Sequence, residues 1–196
     1  MKNYFNNLIK TISNSVMSLD EANFKRLVDE CVLTIERGNK IVVSGLGKNV
    51  PVCDKFVGTM NSLGQNAVFM NTNTAVHGDI GMVYDGDLVI ILTKSGETEE
   101  SIYLYTLLKL RKVNIWLLSF ENGSTLYKAI GASNSIILDL EHEGDQWNIV
   151  PNNSTTVNLI ILQGLAMHIV EKRGVRLSDF KKNHPGGHIG VQLQNV

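Results

Sequence analysis

Five short aliphatic runs, each separated from the next by a stretch with helical spacing, limit the folds open to this chain more than any other feature. They are Ile41-Val42-Val43-Ser44, Ala67-Val68-Phe69-Met70, Leu88-Val89-Ile90-Ile91-Leu92, Ile115-Trp116-Leu117-Leu118 and Ser135-Ile136-Ile137-Leu138. Apolar residues at consecutive rather than alternate positions read as strands buried on both faces. Before the first run, residues 20–37 carry Leu27, Val28, Cys31, Val32 and Ile35 on one helical stripe, with Gly38 placed as its stop. Pro51 opens a second helix that runs to about Leu63 and is closed by Gly64. Residues 101–111 place Ile102, Leu104, Tyr105, Leu108 and Leu110 at a mostly helical period. Residues 154–172 form a long helix that is apolar on most sides, hence buried or at a subunit contact. Strands spaced by helices predict the α/β class, an open parallel sheet with helices on both faces and ligands at the strand C-terminal ends.

At 196 residues, the chain has room for one domain with its own core. A net charge of −1 offers no basic field for nucleic acid. No apolar run approaches the about 18 residues of a membrane helix, and the Asn-rich leading segment is not a signal peptide. Cys31 and Cys53 have no paired spacing and read as reduced, buried thiols of a cytoplasmic protein. His184 and His188 flank Pro185-Gly186-Gly187, which keeps them off one helical face, so no metal is expected. The tail after Phe180 is rich in Gly, Asn and Gln and reads as extended.

Three segments that follow predicted strands should rim one crevice: residues 44–48, 71–79 and 93–100. Thr93-Lys94-Ser95-Gly96-Glu97-Thr98-Glu99-Glu100, between a strand and a helix start, has the build of an anion turn. Free N–H groups, the helix dipole and hydroxyls converge there. Glu97, Glu99 and Glu100 either complement that dipole or include one carboxylate facing carbon chemistry beside a bound phosphate. Gly45-Leu46-Gly47-Lys48 has neither the third glycine of a dinucleotide fingerprint nor P-loop spacing. It is a turn that brings Lys48 to the crevice, or Lys48 is a solvated surface lysine. His77-Gly78-Asp79 offers a base or a turn-forming pair, while His142 reads as a surface residue and His168 as a packed one. No nucleophile elbow is present, and neither cysteine sits in an electropositive turn. A set of Lys, Glu and His around a phosphate turn suits proton transfer beside a carbonyl.

Taken together, the segments resemble the sugar isomerase (SIS) domain family, and within it the sugar-binding domain of arabinose 5-phosphate isomerases. The likeness runs over residues 20–190. It rests on Gly45-Leu46-Gly47-Lys48, His77-Gly78-Asp79-Ile80-Gly81-Met82, Ser95-Gly96-Glu97-Thr98-Glu99-Glu100, Ser154-Thr155-Thr156, and Asp179-Phe180 with His184-Pro185-Gly186-Gly187-x-x-Gly190. The resemblance implies a three-layer sandwich with a five-stranded parallel sheet, preceded by a polar segment (1–19) and followed by a tail (191–196). It implies homo-oligomers, dimers or tetramers, whose sites draw on neighbouring subunits. Phosphate would be held by the hydroxyls of Ser95 and Thr98, with Ser44, Thr93, Gly47 and Ser154 around the substrate. Lys48, Glu100 and His184 match the family's catalytic positions. Glu143 falls at the second glutamate when counted back from Ser154-Thr155-Thr156, and His77 matches another family histidine.

The implied activity is aldose–ketose isomerisation of a sugar phosphate through an enediol, without metal or cofactor. D-arabinose 5-phosphate/D-ribulose 5-phosphate is the leading pair and a hexulose or heptulose phosphate the alternative. Histidine suits ring opening because its unperturbed pKa, about 6.5, lies near working pH. The rival from another class is a non-catalytic phosphosugar sensor, although about 20 leading residues are too few for a helix-turn-helix module. Departures from the family pattern cluster round the site: Asn49-Val50 after the Gly-Lys, Asn152 after Pro151, Leu162-Gln163 in the long helix, and the Trp147 segment 144–150. The CBS modules that follow many relatives are not expected here.

Overall fold

Each aliphatic run becomes a strand in the computed structural model, which describes residues 1–194. The strands are β1 Ile41–Gly45, β2 Ala67–Asn71, β3 Leu88–Leu92, β4 Asn114–Ser119 and β5 Ser135–Ile137. They form one sheet in the order β2-β1-β3-β4-β5, with every neighbouring pair parallel. Parallel neighbours need crossovers that cover the sheet, so the strands are buried on both faces and the runs are apolar at consecutive positions. Ile41, Val43, Leu88, Ile90, Leu92, Trp116 and Leu118 enter one core, while Val42, Val89, Ile91 and Leu117 enter the other. The strand period of two divides one continuous run between two cores.

The first core is closed by helices α1 Lys2–Met17, α2 Glu21–Glu36, α3 Val50–Ser62 and the long helix α7 Asn153–Lys172; the second by α4 Thr72–Ala75, α5 Glu99–Leu108 and α6 Thr125–Ile130. Asp20 starts α2 by accepting from the amides of Ala22 (2.9 Å) and Asn23 (3.0 Å), a standard N-cap. Gly38 and Gly64 end α2 and α3 with φ of +84° and +71°, where a side chain would be strained. Both cysteines are free and buried. Burial, helped by the charge of Asp54, pushes the Cys53 thiol up to about 12, and burial raises Cys31 as well. Among the described residues no helix is long and apolar enough to cross a membrane.

Three parts of the structure differ from the sequence reading. The polar leading segment forms α1, in which Leu8, Ile12, Ser15 and Leu19 just beyond it make a thin stripe toward the core. The tail after Phe180 is helical rather than extended, with α8 Leu177–Lys182 and α9 Gly187–Gln194; residues 195 and 196 lie outside the described residues. Asp179 reaches back to the Arg176 amide, which nucleates α8. His168 is exposed and leans edge-on against Phe24 instead of packing inside α7.

Chain direction diverges between β1 and β3. From β1 the next strand lies on one side of it, while β3 pairs on the other and leads outward through β4 to β5. A crevice opens past the C-terminal ends of two strands at such a switch point.

Candidate active site

At that switch point lies a cavity of about 200 Å³, walled by the loop after β1 (Leu46, Gly47, Lys48, Asn49), the end of β3 with its turn (Leu92, Thr93, Lys94, Thr98), and the start of α7 (Pro151, Ser154, Thr155, Asn158). Two larger surface clefts lie outside this cavity, one between α1 and the 141–153 loop, the other between α2 and α7.

The turn after β3 is fixed by its own side chains. Thr93 Oγ1 accepts from the Gly96 amide (3.2 Å), and Ser95 Oγ accepts from the Glu97 amide (3.1 Å). Gly96 has φ +66°, and a Cβ there would collide with Ser124 Oγ, so only glycine fits. Glu97 turns away from the cavity and accepts from the Thr125 amide (2.7 Å), tying the turn to the start of α6. The Thr125 hydrogen bonds hold its carboxyl below the ordinary range. Thr98 is the N-cap of α5 without a side-chain capping bond, and its hydroxyl lies 3.3 Å from that of Thr93. Among the described residues the N–H groups of Thr98, Glu99 and Glu100 meet no backbone acceptor. A free helix N-terminus therefore faces the cavity rim.

The start of α7 has the opposite character. Glu143, fully buried, places Oε2 against the amides of Asn152 (3.1 Å) and Ser154 (2.9 Å). Its Oε1 lies 2.7 Å from Lys94 Nζ, whose side chain is 42% exposed toward the cavity. Burial on its own would raise the pKa of Glu143. The Lys94 ammonium and the Ser154 and Asn152 amides outweigh burial and hold the carboxyl below the ordinary range. Behind the same wall, Asn158 donates to Asn49 (3.1 Å) and bridges α7 to the loop after β1.

The predicted site residues are divided by the structure. Gly47, Lys48, Thr93, Thr98 and Ser154 line the cavity, and Glu143 lies immediately behind it. Ser95 is exposed on the outer side of the turn. Ser44 is buried at the end of β1, where its hydroxyl pairs with that of Thr72 (3.0 Å) instead of reaching the cavity. Glu100 is exposed and outside the cavity wall, and so is His77. His184 engages both ring nitrogens, with Ser62 Oγ at 3.0 Å and the Phe180 carbonyl at 2.9 Å, and stacks on Phe180. Ser62 ends the 13-residue α3, which begins beside the cavity. At 1.5 Å per residue that is about 18 Å from it. The residues missed by sequence reasoning are Lys94 and Asn158, while Asn49, read as a departure from the family pattern beside the site, lines the cavity. Lys94 stood within the turn, but no local signal tied it to a glutamate 49 positions on.

The comparisons with known proteins decide the family, since residues 34–166, more than half of the chain, match the SIS domain. The chain belongs to the SIS domain family. Arabinose 5-phosphate isomerase KdsD of Pseudomonas aeruginosa is 34% identical to this SIS protein over 166 residues, 85% of this chain and 50% of that protein. Arabinose 5-phosphate isomerase KpsF of Escherichia coli is 31% identical over 182 residues, 93% of this chain and 56% of that protein. The solved structure of an Escherichia coli CFT073 protein in complex with arabinose 5-phosphate superposes with a TM-score of 0.84 at 28% identity, covering 94% of this chain and 95% of that one. The SIS chain spans about half the length of the curated relatives it matches.

Proposed function

We propose that this SIS domain is an aldose–ketose isomerase of sugar phosphates, with arabinose 5-phosphate and ribulose 5-phosphate as the leading pair. The observation that carries the reading is one cavity shared by a free helix N-terminus, two lysines and a buried ionised carboxylate. The phosphate group fits the free amides and Thr98 hydroxyl at the start of α5, assisted by Lys48. The carbon end of the sugar then lies toward α7 and Glu143. In the open aldose the carboxylate takes the proton from C2, and the former carbonyl O1 carries the enediolate charge, steadied by a lysine. The proton returns to C1, O2–H passes its proton to O1, and C2 becomes the carbonyl. Glu143 is the carboxylate that fits this role within one protomer; Glu100 is not on the wall. The likeness to proteins named arabinose 5-phosphate isomerase supports the substrate choice.

Ring opening needs an acid, and among the described residues no histidine of the protomer lines its own cavity. We propose that a second copy completes the site with His184 or His77, in a homo-oligomer. The same observation favours a second reading, a non-catalytic phosphosugar-binding module, if no copy supplies that acid. The test is proton exchange at C1 and C2, followed by NMR in D₂O over pentose, hexose and heptose phosphates. Deuterium incorporated into one sugar with conversion is the expected result. Saturable binding without exchange on any sugar overturns the enzyme reading in favour of the binding module.

A further inference from the structure

Two lysines reach the cavity, and among the described residues only one of them, Lys94, is held by a carboxylate. We propose that Lys94 is a ligand-responsive cap on Glu143. In the free protein its ammonium covers Oε1; a sugar phosphate in the cavity draws the ammonium to its own anionic oxygens and bares the carboxylate. The inference rests on the isomerase reading above, and it supplies that reading with a device that exposes the base only when substrate is present.

The pair is asymmetric in a way that decides which half moves. Glu143 is pinned, because Oε2 accepts from two backbone amides, its own amide donates to Asn148 Oδ1 (2.8 Å), and its carbonyl accepts from Asn152 Nδ2 (3.0 Å). Oε1 has no partner besides Lys94 among the described residues. The Lys94 backbone is equally fixed, its carbonyl accepting from Ser119 Oγ (3.0 Å) and the Phe120 amide (3.1 Å). Its ammonium, by contrast, ends a flexible four-carbon stem, 42% exposed on the cavity wall. A phosphate carries up to two negative charges and three acceptor oxygens, more than the single carboxylate oxygen it would displace. The unengaged N–H groups at the start of α5 adjoin the turn that bears Lys94, so an anion bound there lies within the sweep of the side chain.

Uncapping also changes the basicity of the carboxylate. With the ammonium withdrawn, burial acts against the ionised form with only the two amides opposing it, so Glu143 becomes a stronger base. The other charged groups around it are Glu141, His142 and Asp145 on its own loop, Lys10 on α1 in the neighbouring cleft, and Lys48 on the opposite cavity wall. None of these occupies Oε1. By reciprocity, whatever weakens the Lys94–Glu143 contact strengthens the hold of Lys94 on the anion.

Two measurements test the cap. In a pH series, the acid limb of kcat/KM reports the free enzyme and that of kcat the substrate complex. The native chain should show the kcat limb at higher pH than the kcat/KM limb. Lys94→Met should bring the two limbs together and raise KM about tenfold or more, the effect of losing one charge-assisted contact. Lys94→Arg, which keeps a cation, should restore much of that loss in KM. A Lys94→Met enzyme with unchanged KM and separate limbs overturns the proposal. The second measurement needs no turnover: the Glu143 carboxyl is followed by ¹³C NMR, assigned by its loss in Glu143→Gln, with and without saturating inorganic phosphate. Phosphate should raise the Glu143 pKa in the native chain, and no change there overturns the cap even if the Lys94 variants misfold. A phosphate-dependent rise in a protein that turns over no sugar leaves the cap standing and refutes the isomerase reading.

Discussion

Two helix N-termini meet at the same cavity, and they treat their free amides in opposite ways. At α7 the amides flanking the first turn are engaged by Glu143, an internal carboxylate with no exposure. At α5 the first-turn amides have no acceptor among the described residues, the N-cap threonine makes no capping bond, and Glu99 and Glu100 point to solvent. The same physics, unpaired N–H groups at the positive end of a helix dipole, holds a fixed anion in one place and leaves room for an exchangeable one in the other. In the proposed reading, that difference puts the phosphate at α5 and the reacting carbons at α7.

The comparison breaks most visibly if the wrong glutamate is catalytic. Glu143→Gln should lower sugar C–H exchange by about 10²–10⁴-fold, the usual contribution of a general base. Glu100→Gln should cost less than about tenfold, since an exposed first-turn carboxylate mainly complements the dipole. The reverse ranking in an NMR exchange assay would move the chemistry to the α5 end. Next in size is the turn that presents the α5 amides. Gly96→Ala puts a methyl group against Ser124 at positive φ and should destabilise the fold by about 2–4 kcal/mol in urea titrations. Full stability would show that the turn can deform without consequence. A smaller effect sharpens the phosphate assignment: Thr98→Val should raise KM about tenfold or more with little change in kcat, the cost of one hydrogen bond to a charged group. A change confined to kcat would place Thr98 at the reacting end instead.

The smallest effect on activity separates the cavity from the rest of the sheet. Asp87, before β3 at the strand N-terminal edge, pairs with Lys40 (2.6 Å) and accepts from the amides of Lys40 and Tyr84. Burial opposes its ionised form, but Lys40 and those amides prevail, and the carboxyl is held below its ordinary value. A carboxyl with a lowered folded pKa adds stability that is present above its unfolded value, about 3.9, and is lost as pH falls through the folded value. Asp87→Asn should therefore lower stability at pH 7 and flatten its decline below about pH 4, while KM and kcat stay as they were. Chemical denaturation at several pH values checks the first part; a steep acid decline retained in the variant would assign the dependence elsewhere, Glu143 being the next carboxylate in line.

Much of the fold was legible because its signals are local. The strands coincide with the aliphatic runs to within a residue, Asp20 caps α2 beside its own stripe, and Pro51 stands in the first turn of α3. Helix α1 escaped notice because its core stripe is thin and includes a serine, Ser15, and the helical tail because α8 is nucleated by an Arg176–Asp179 pair instead of the usual hydroxyl cap. The site divided along the same line. The loops that rim the cavity follow from strand order and loop chemistry, and Thr93, Thr98 and Lys48 stand where that reasoning placed them. The roles of Glu97, Glu100 and His184 depended on side-chain direction and on distant partners such as Thr125 and Ser62, which no spacing encodes.

By itself, the sequence determined that this chain builds a five-stranded parallel α/β sheet of the SIS family, with a hydroxyl-rich turn after β3. Those outcomes follow from hydrophobic periodicity and turn chemistry, which act over a few residues. Tertiary structure decided which charges meet. Glu143 became a buried anion between Lys94 and the start of α7, and His184 was carried to the far end of α3. Electrostatic partnership depends on distance through space, and only the packing of helices onto the sheet sets that distance.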